Sequence, residues 1–187
     1  MGPVASALIR QALSREQKAR LVALLKSRAS HWREDEFWFC PSSKKAEQAD
    51  SPTAGFFLET ESFYYPADEL DQIERVIGFR PRAIVSLSAL SNQPADHHIL
   101  AELIAWIAQE FEGWIDFGGS ILPVSIEPLG PGGEIATDAA NAYLDKIGGR
   151  VFSLPYLTAS GEHWVSHVCD PEFARNWMEH DDFHMVK

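Results

Sequence analysis

Cysteine is scarce in this chain, which has only Cys40 and Cys169 in 187 residues. Two thiols cannot build the disulfide framework of a small secreted domain, so both are expected to be buried and reduced. Long apolar runs are also lacking, since charged residues interrupt them well before the ~20 residues that a membrane span needs. At the N-terminus Arg10 breaks an apolar stretch and no small-residue cleavage site follows, which argues against a secretory signal. We therefore expect a cytoplasmic protein that does not enter a membrane.

Basic charge is in short supply and unevenly distributed. The chain has 16 Lys and Arg against 27 Asp and Glu, a formal net charge of -11. Residues 1–30 contain six basic side chains and the single acid Glu16, a balance of +5, so residues 31–187 carry -16. Such an acidic remainder repels nucleic acid and anionic membranes and attracts basic partners. The alternative is that the charge only keeps the protein soluble.

Complete catalytic motifs are absent. The sequence contains no Walker loop, no nucleophile elbow and no HExxH. Asp116-Phe117-Gly118 spells a protein-kinase triplet, but neither a glycine-rich loop nor a catalytic-loop sequence accompanies it. The triplet is better interpreted as a strand that runs into a tight turn. We therefore predict no catalytic residue, no cofactor and no enzymatic activity.

One group of residues offers an alternative to this prediction. His163, His167 and Cys169 fall at alternate positions of a predicted strand, so their side chains share one face of it. These residue types ligate zinc, but a site needs a preformed cage and usually further ligands. A small metal-dependent enzyme is the resulting alternative function. Half-buried sheet residues without metal are the favoured interpretation.

The periodicity of apolar residues predicts an α+β fold in a single domain over residues 1–187, with a mostly antiparallel sheet and three to five helices. Strands are predicted at 4–12, 36–40, 55–59, 82–90, 114–117, 150–158, 163–169 and 183–186. Helices are predicted from the capping box of Ser14 and Gln17, from Pro66 to Gly78, from Asn92–Asp96 to Gly113, after Thr137 and after Asp170-Pro171. The Gly- and Pro-rich segment 123–149 is predicted to be an insertion or an ordered functional loop. Among six tryptophans, Trp32 has charged neighbours and is the one expected at the surface.

Two segments resemble a known group of proteins. They are GFRPRAIVSLSALSNQPADHHILAELIAWIAQEFEGWIDFGGSI at 78–121 and DPEFARNWMEHDDFHMVK at 170–187. Both are similar to an uncharacterised bacterial domain family found beside polymorphic toxins. The overall order also resembles type VI secretion immunity proteins that neutralise restriction-endonuclease-like DNases. The resemblance extends from Gly2 to Lys187 and departs at 123–149, where this chain is longer.

The resemblance implies an immunity protein whose partner is a cognate toxin, a basic nuclease, with neither nucleic acid nor membrane as a partner. It supplies no catalytic residues. Partner choice commonly resides in loops on a fixed scaffold, which directs attention to the acidic segment from Glu127 to Asp145. The candidate contact residues are Glu134, Asp138 and Asp145, with a second patch at Glu34, Asp35 and Glu36.

Overall fold

The computed structural model describes residues 2–39, 54–60, 65–123, 137–157, 161 and 163–186. The strands are β1 (Val4–Ile9), β2 (His31–Arg33), β3 (Glu36–Phe39), β4 (Ala54–Glu59), β5 (Ala83–Ala89), β6 (Trp114–Asp116), β7 (Val151–Leu157) and β8 (His163–Cys169). The helices are α1 (Arg15–Arg28), α2 (Ala67–Ile77), α3 (Pro94–Glu110), α4 (Thr137–Leu144) and α5 (Pro171–Met178). The strands form one sheet in the order β2-β3-β4-β5-β1-β6-β8-β7, and each of its pairings is antiparallel. The predicted α+β class with an antiparallel sheet is confirmed.

The sheet has two unequal faces. On one, which we call the helical face, side chains such as Ala7 and Phe56 pack against α1, α3 and α5 in the larger core. On the opposite face, Leu8 and Trp114 join Ile73 and Ile77 of α2 in a second, smaller core. Because successive residues of a strand point to opposite faces, β1 contributes to both cores and is buried along nearly its whole length.

Helix α3 is the most deeply embedded helix of the described chain. Ten of its 17 residues are buried, and it packs on β1, β5, β4, β6 and α5. Its first turn is closed by Asp96, whose carboxylate accepts the backbone N–H of Gln93 at 2.8 Å and the hydroxyl of Ser91. The chain leaves α3 through Glu112, which adopts a positive φ of 52°. No helix among the described residues is long and apolar enough to cross a membrane.

Local capping signals in the sequence are confirmed. Ser14 accepts from the backbone N–H of Gln17 at 3.1 Å, and the Gln17 side chain accepts from the N–H of Ser14 at 2.9 Å. Gly78 ends α2 in the left-handed conformation at φ 80°. Asp170 caps α5 by accepting from Phe173 N–H at 2.8 Å. These bonds satisfy N–H groups that have no partner inside a helix.

The predicted final strand at 183–186 is wrong. The segment has no ladder partner among the described strands and is held by side chains instead: the backbone N–H of Met185 donates to His97 Nδ1 at 3.0 Å, and the indole N–H of Trp177 donates to the carbonyl of His184 at 3.1 Å. The His97 ring is therefore neutral and structural, and burial lowers its pKa.

Strand β2 has no counterpart in the sequence prediction, because its three polar or aromatic residues show no alternation.

Helix α4 lies within the segment 123–149, for which the sequence predicts an insertion or loop. Its side chains Ala140 and Leu144 are buried in the larger core, as is Ile147 in the turn that follows. This part of the segment therefore belongs to the domain's packed structure. Residues 124–136 lie outside the described residues.

Two left-handed glycines give a matched test of the fold. Gly149 has φ +85°, and a Cβ there would lie 2.6 Å from the Cα of Phe173, whereas Gly78 has φ +80° with nothing within 4 Å. Gly78→Ala should therefore cost only the left-handed backbone strain, about 1 kcal/mol. Gly149→Ala adds a backbone collision and should cost about 3 kcal/mol or more. Urea unfolding of both variants checks this, and equal losses would contradict the packing of α5 on the turn before β7.

Candidate functional site

The predicted acidic patch at Glu34, Asp35 and Glu36 forms the tight turn between β2 and β3. Glu34 adopts the left-handed conformation at φ 53°, and both turn residues are exposed. The turn is fixed to the sheet because the backbone N–H of Leu58 donates to the carbonyl of Asp35 at 2.8 Å. None of the three carboxylates forms an ion pair within the described part of the chain. Their charge is therefore directed to the solvent from a rigid support.

Apolar side chains lie beside this turn on the sheet face opposite the helical face. Trp38 and Leu90 meet over Gly55, where a Cβ would lie 2.8 Å from Trp38 Nε1 and 2.9 Å from Leu90 Cδ1. Phe57 follows on the same face of β4, directly across from Glu36. Phe57 is 40% exposed and Leu90 47% exposed. We call Trp38, Phe57, Leu90 and the bordering Glu36 the open face.

The open face is exposed because α2 packs on other strands of the sheet. The buried residues of α2, Ile73 and Ile77, pack with residues of β1, β6, β7 and β8. Strands β3 and β4 have their helical face covered by Leu21 and Leu25 of α1, while Phe57 on the other side stays exposed. An exposed apolar area with a charged border is typical of a protein-binding surface.

Trp32 lies at the surface, as expected from its charged neighbours, and is 45% exposed. It belongs to the edge strand β2, and the ammonium of Lys26 lies 5.6 Å from its ring centroid. Other cations of α1 are also occupied by neighbours, because Arg20 pairs with Glu110 and Arg28 stacks on a tryptophan of α3. The basic N-terminal segment therefore contributes contacts within the chain.

A cleft lies next to the open face, between α1 and the end of β4. It encloses about 380 Å³ and is lined by Lys18, Val22, Asp35, Phe57, Leu58, Glu59 and Thr60. Its two carboxylates, those of Asp35 and Glu59, have no hydrogen-bond or ion-pair partner among the described residues. No sequence pattern predicts the cleft, because its walls come from three separate segments.

The first predicted set of contact residues is located elsewhere. Asp145 is exposed in the turn after α4, whose Tyr143 contacts Trp177 of α5. Helix α5 packs on α3 and β6, whereas the acidic turn joins β2 and β3 at one edge of the sheet. Glu134 and the side chain of Asp138 lie outside the described residues. The structure does not bring Asp145 together with the second patch.

His167, one of the residues considered as metal ligands, has other partners in the structure. His167 is fully buried, its Nδ1 accepts the backbone N–H of Ile121 at 3.2 Å, and its Nε2 lies 3.2 Å from Ser153 Oγ. With Nδ1 accepting, Nε2 carries the proton and donates to the hydroxyl. Burial lowers the pKa of His167 to about 4, so the ring is neutral, but both of its nitrogens are engaged in these hydrogen bonds. Burial raises the pKa of the Cys169 thiol, which disfavours the thiolate that binds metals. The described residues contain no group of three or more potential ligands, and the side chain of His163 lies outside them.

A buried polar cluster, which no sequence motif indicates, lies under α2. The hydroxyl of Tyr65 donates to Asp116 Oδ2 at 2.6 Å, and the backbone N–H of Gly118 donates to Oδ1 at 2.8 Å. Burial raises the pKa of Asp116 and, together with the charge of Asp116, that of Glu69. The one available signal in the sequence is an acid inside the apolar run of β6. The triplet at 116–118 is, as predicted, a strand that enters a turn at Gly118, with φ +70°.

His167 should make stability depend on pH. Because its pKa is about 4 in the folded protein and 6.5 for an exposed imidazole, the unfolded chain binds the proton more readily. Stability is then complete above about pH 6.5 and falls as pH drops toward 4, by about 3 kcal/mol. Urea unfolding across this range should show a steeper loss for the wild type than for His167→Gln, which cannot titrate. Parallel pH profiles would contradict this account.

The purified protein should not retain zinc in stoichiometric amount. The expectation follows from the hydrogen bonds of His167 and the protonated thiol of Cys169. Elemental analysis of protein prepared without chelator checks it, with His163→Ala as the control variant. One zinc per chain that is lost in this variant would restore the metal-dependent alternative.

Comparison with known proteins places the chain in a family. No curated protein and no solved structure matched it. A family model did match, over residues 1–187, and its description is that of a family of unknown function (DUF6368). A match over the full length shows membership, so the chain belongs to the DUF6368 family.

Proposed function

We propose that this chain is an immunity protein of the kind associated with type VI secretion, which binds a cognate toxin and neutralises it. The toxin is a basic nuclease, and the protein acts in the cytoplasm by covering the toxin's active-site cleft. The observation that supports this most is the open face: exposed Phe57 and Leu90 beside the unpaired carboxylates of the β2–β3 turn. The resemblance of segments 78–121 and 170–187 to toxin-associated proteins agrees with it.

The composition of this surface suits a protein partner. Protein interfaces combine an apolar centre, which excludes water, with a polar rim, and aromatic residues are enriched at the centre. Here Trp38, Phe57 and Leu90 supply the centre, and Glu34 and Asp35 supply the rim. Burial of the apolar side chains stabilises the complex, while the carboxylates select a basic partner.

The electrostatics favour a nuclease over other basic proteins. A nuclease cleft is basic because it holds phosphates, and an acidic protein competes with DNA for the same positive potential. A net charge of -11 also accelerates the encounter with a positive surface. Rapid capture matters for an inhibitor whose target damages the genome.

The two predicted acidic patches take different roles in this proposal. The open face and its acidic turn form the contact, because only there does the described chain combine unpaired acids with an exposed apolar centre. Glu134, Asp138 and Asp145 belong to the segment that precedes β7 in the sequence and contribute to long-range attraction. Their effect is expected on the association rate and on its salt dependence.

Co-expression with the protein encoded beside this chain tests the proposal. The wild type should co-purify with that protein and protect cells from it. Phe57→Ala should weaken binding by about 1–3 kcal/mol, or roughly tenfold to hundredfold, because a central apolar contact is lost. Trp164→Ala is the matched control, since Trp164 is similarly exposed, at 39%, but lies on β8. Binding kinetics and cell survival measure both variants.

Three outcomes would contradict the proposal in different ways. Absence of binding and protection by the wild type removes the immunity function. If Trp164→Ala weakens binding and Phe57→Ala does not, the contact lies on the half of the sheet that contains β8. Loss of binding in a Glu134/Asp138/Asp145 triple Ala variant, with Phe57→Ala unaffected, places it at the acidic segment before β7.

A further inference from the structure

The cleft between α1 and the end of β4 has a composition that the open face alone does not explain. Val22 and Phe57 give it apolar walls, and Asp35 and Glu59 place carboxylates at its border. Phe57 lines both the cleft and the open face, so the two lie next to each other at this end of β4. At about 380 Å³ the space holds a long side chain, though not a second element of secondary structure.

The charges of the lining residues favour a cation. The described lining residues carry two carboxylates and one ammonium, that of Lys18, a balance of one negative charge. Asp35 and Glu59 have no hydrogen-bond or ion-pair partner among the described residues. An anion would meet two like charges here, whereas a cation gains two opposite ones.

We propose that the cleft receives one arginine side chain of the partner protein. This inference rests on the proposed function only in so far as it requires a basic protein partner. The apolar stem of an arginine fits the lining at Val22 and Phe57, and its guanidinium is more weakly hydrated than an ammonium, so it enters a partly apolar cleft more readily. The same group offers several N–H donors in one plane, which two separate carboxylates can share.

The walls of the cleft are held in place before binding. The carbonyl of Asp35 accepts the N–H of Leu58 at 2.8 Å, which fixes the acidic turn against β4. Leu58 itself is buried, at 4% exposure, and belongs to the larger core. A pre-organised site loses less conformational entropy on binding, so a single arginine can act as an anchor.

A small probe tests the cleft without any partner. The peptide acetyl-Gly-Arg-Gly-amide is titrated into the uniformly ¹⁵N-labelled protein and followed by the shifts of backbone amides. Its matched control replaces arginine by citrulline, which has the same shape and no charge. We expect the arginine peptide to shift the amides of Val22, Asp35, Glu59 and Thr60, and the citrulline peptide to shift them little.

Variants then test which charged side chains contribute to binding of the arginine peptide. The pair Asp35→Asn and Glu59→Gln should weaken binding of the arginine peptide about fivefold, whereas Asp145→Asn in the turn after α4 should leave it unchanged. Lys18→Gln should strengthen binding, because it removes a like charge from the same cleft. A lysine peptide should bind more weakly than the arginine peptide.

Several results would overturn the proposal. They are equal shifts from the citrulline peptide, shifts confined to residues outside the cleft, tighter binding of a glutamate peptide, or tighter binding of a lysine peptide. Because no toxin takes part, these results leave the immunity function standing. Conversely, failure of the toxin to bind would leave a positive titration of the cleft intact.

Discussion

The packing of α3 across the helical face is the constraint from which the rest of the structure follows. With ten of 17 residues buried, this helix has almost no solvent side, so strands β1, β4, β5 and β6 must lie beneath it while α5 covers it. That arrangement concentrates the apolar side chains of the chain on one side of the sheet. The opposite face is left with α2, a helix of 11 residues that spans only part of eight strands. Among the described residues, the area over β3 and β4 on this face is therefore left without a helix.

What distinguishes this area is that its side chains remain apolar. An uncovered sheet face normally carries polar residues at alternate positions, and the partly exposed Ser88 of β5 follows this rule. Trp38, Phe57 and Leu90 break it. Exposed aromatic residues in a sheet promote association, which a chain restricts by adding charge at the edge. The acidic turn between β2 and β3 provides this charge, so the open face repels acidic copies of itself and remains attractive to basic surfaces.

Local features of the fold were predictable, and features that depend on distant contacts were not. The capping box at Ser14, the left-handed Gly78 and the proline after Asp170 are short-range signals that need no tertiary structure. Alternation along β4 likewise places Phe56 and Phe57 on opposite faces of the sheet. It could not indicate which face a helix would cover, because that depends on where α2 lies along the sheet. The same limit applies to the pair of Tyr65 and Asp116, 51 residues apart, and to the cleft.

Charge and apolar contact perform separate tasks on this surface. The basic residues of the first 30 are largely engaged within the chain, as in the pair of Arg20 with Glu110 and the stack of Arg28 on Trp106. Lys18, which lines the cleft together with Asp35, offsets part of the negative potential around the β2–β3 turn. That potential acts over about 8 Å at physiological salt and governs how often a basic partner arrives in the right orientation. How long the partner remains depends on contacts that exclude water, which Phe57, Leu90 and the neighbouring cleft supply on this half of the sheet. A surface divided in this way can keep a rapid capture rate while its apolar centre changes to match a different partner.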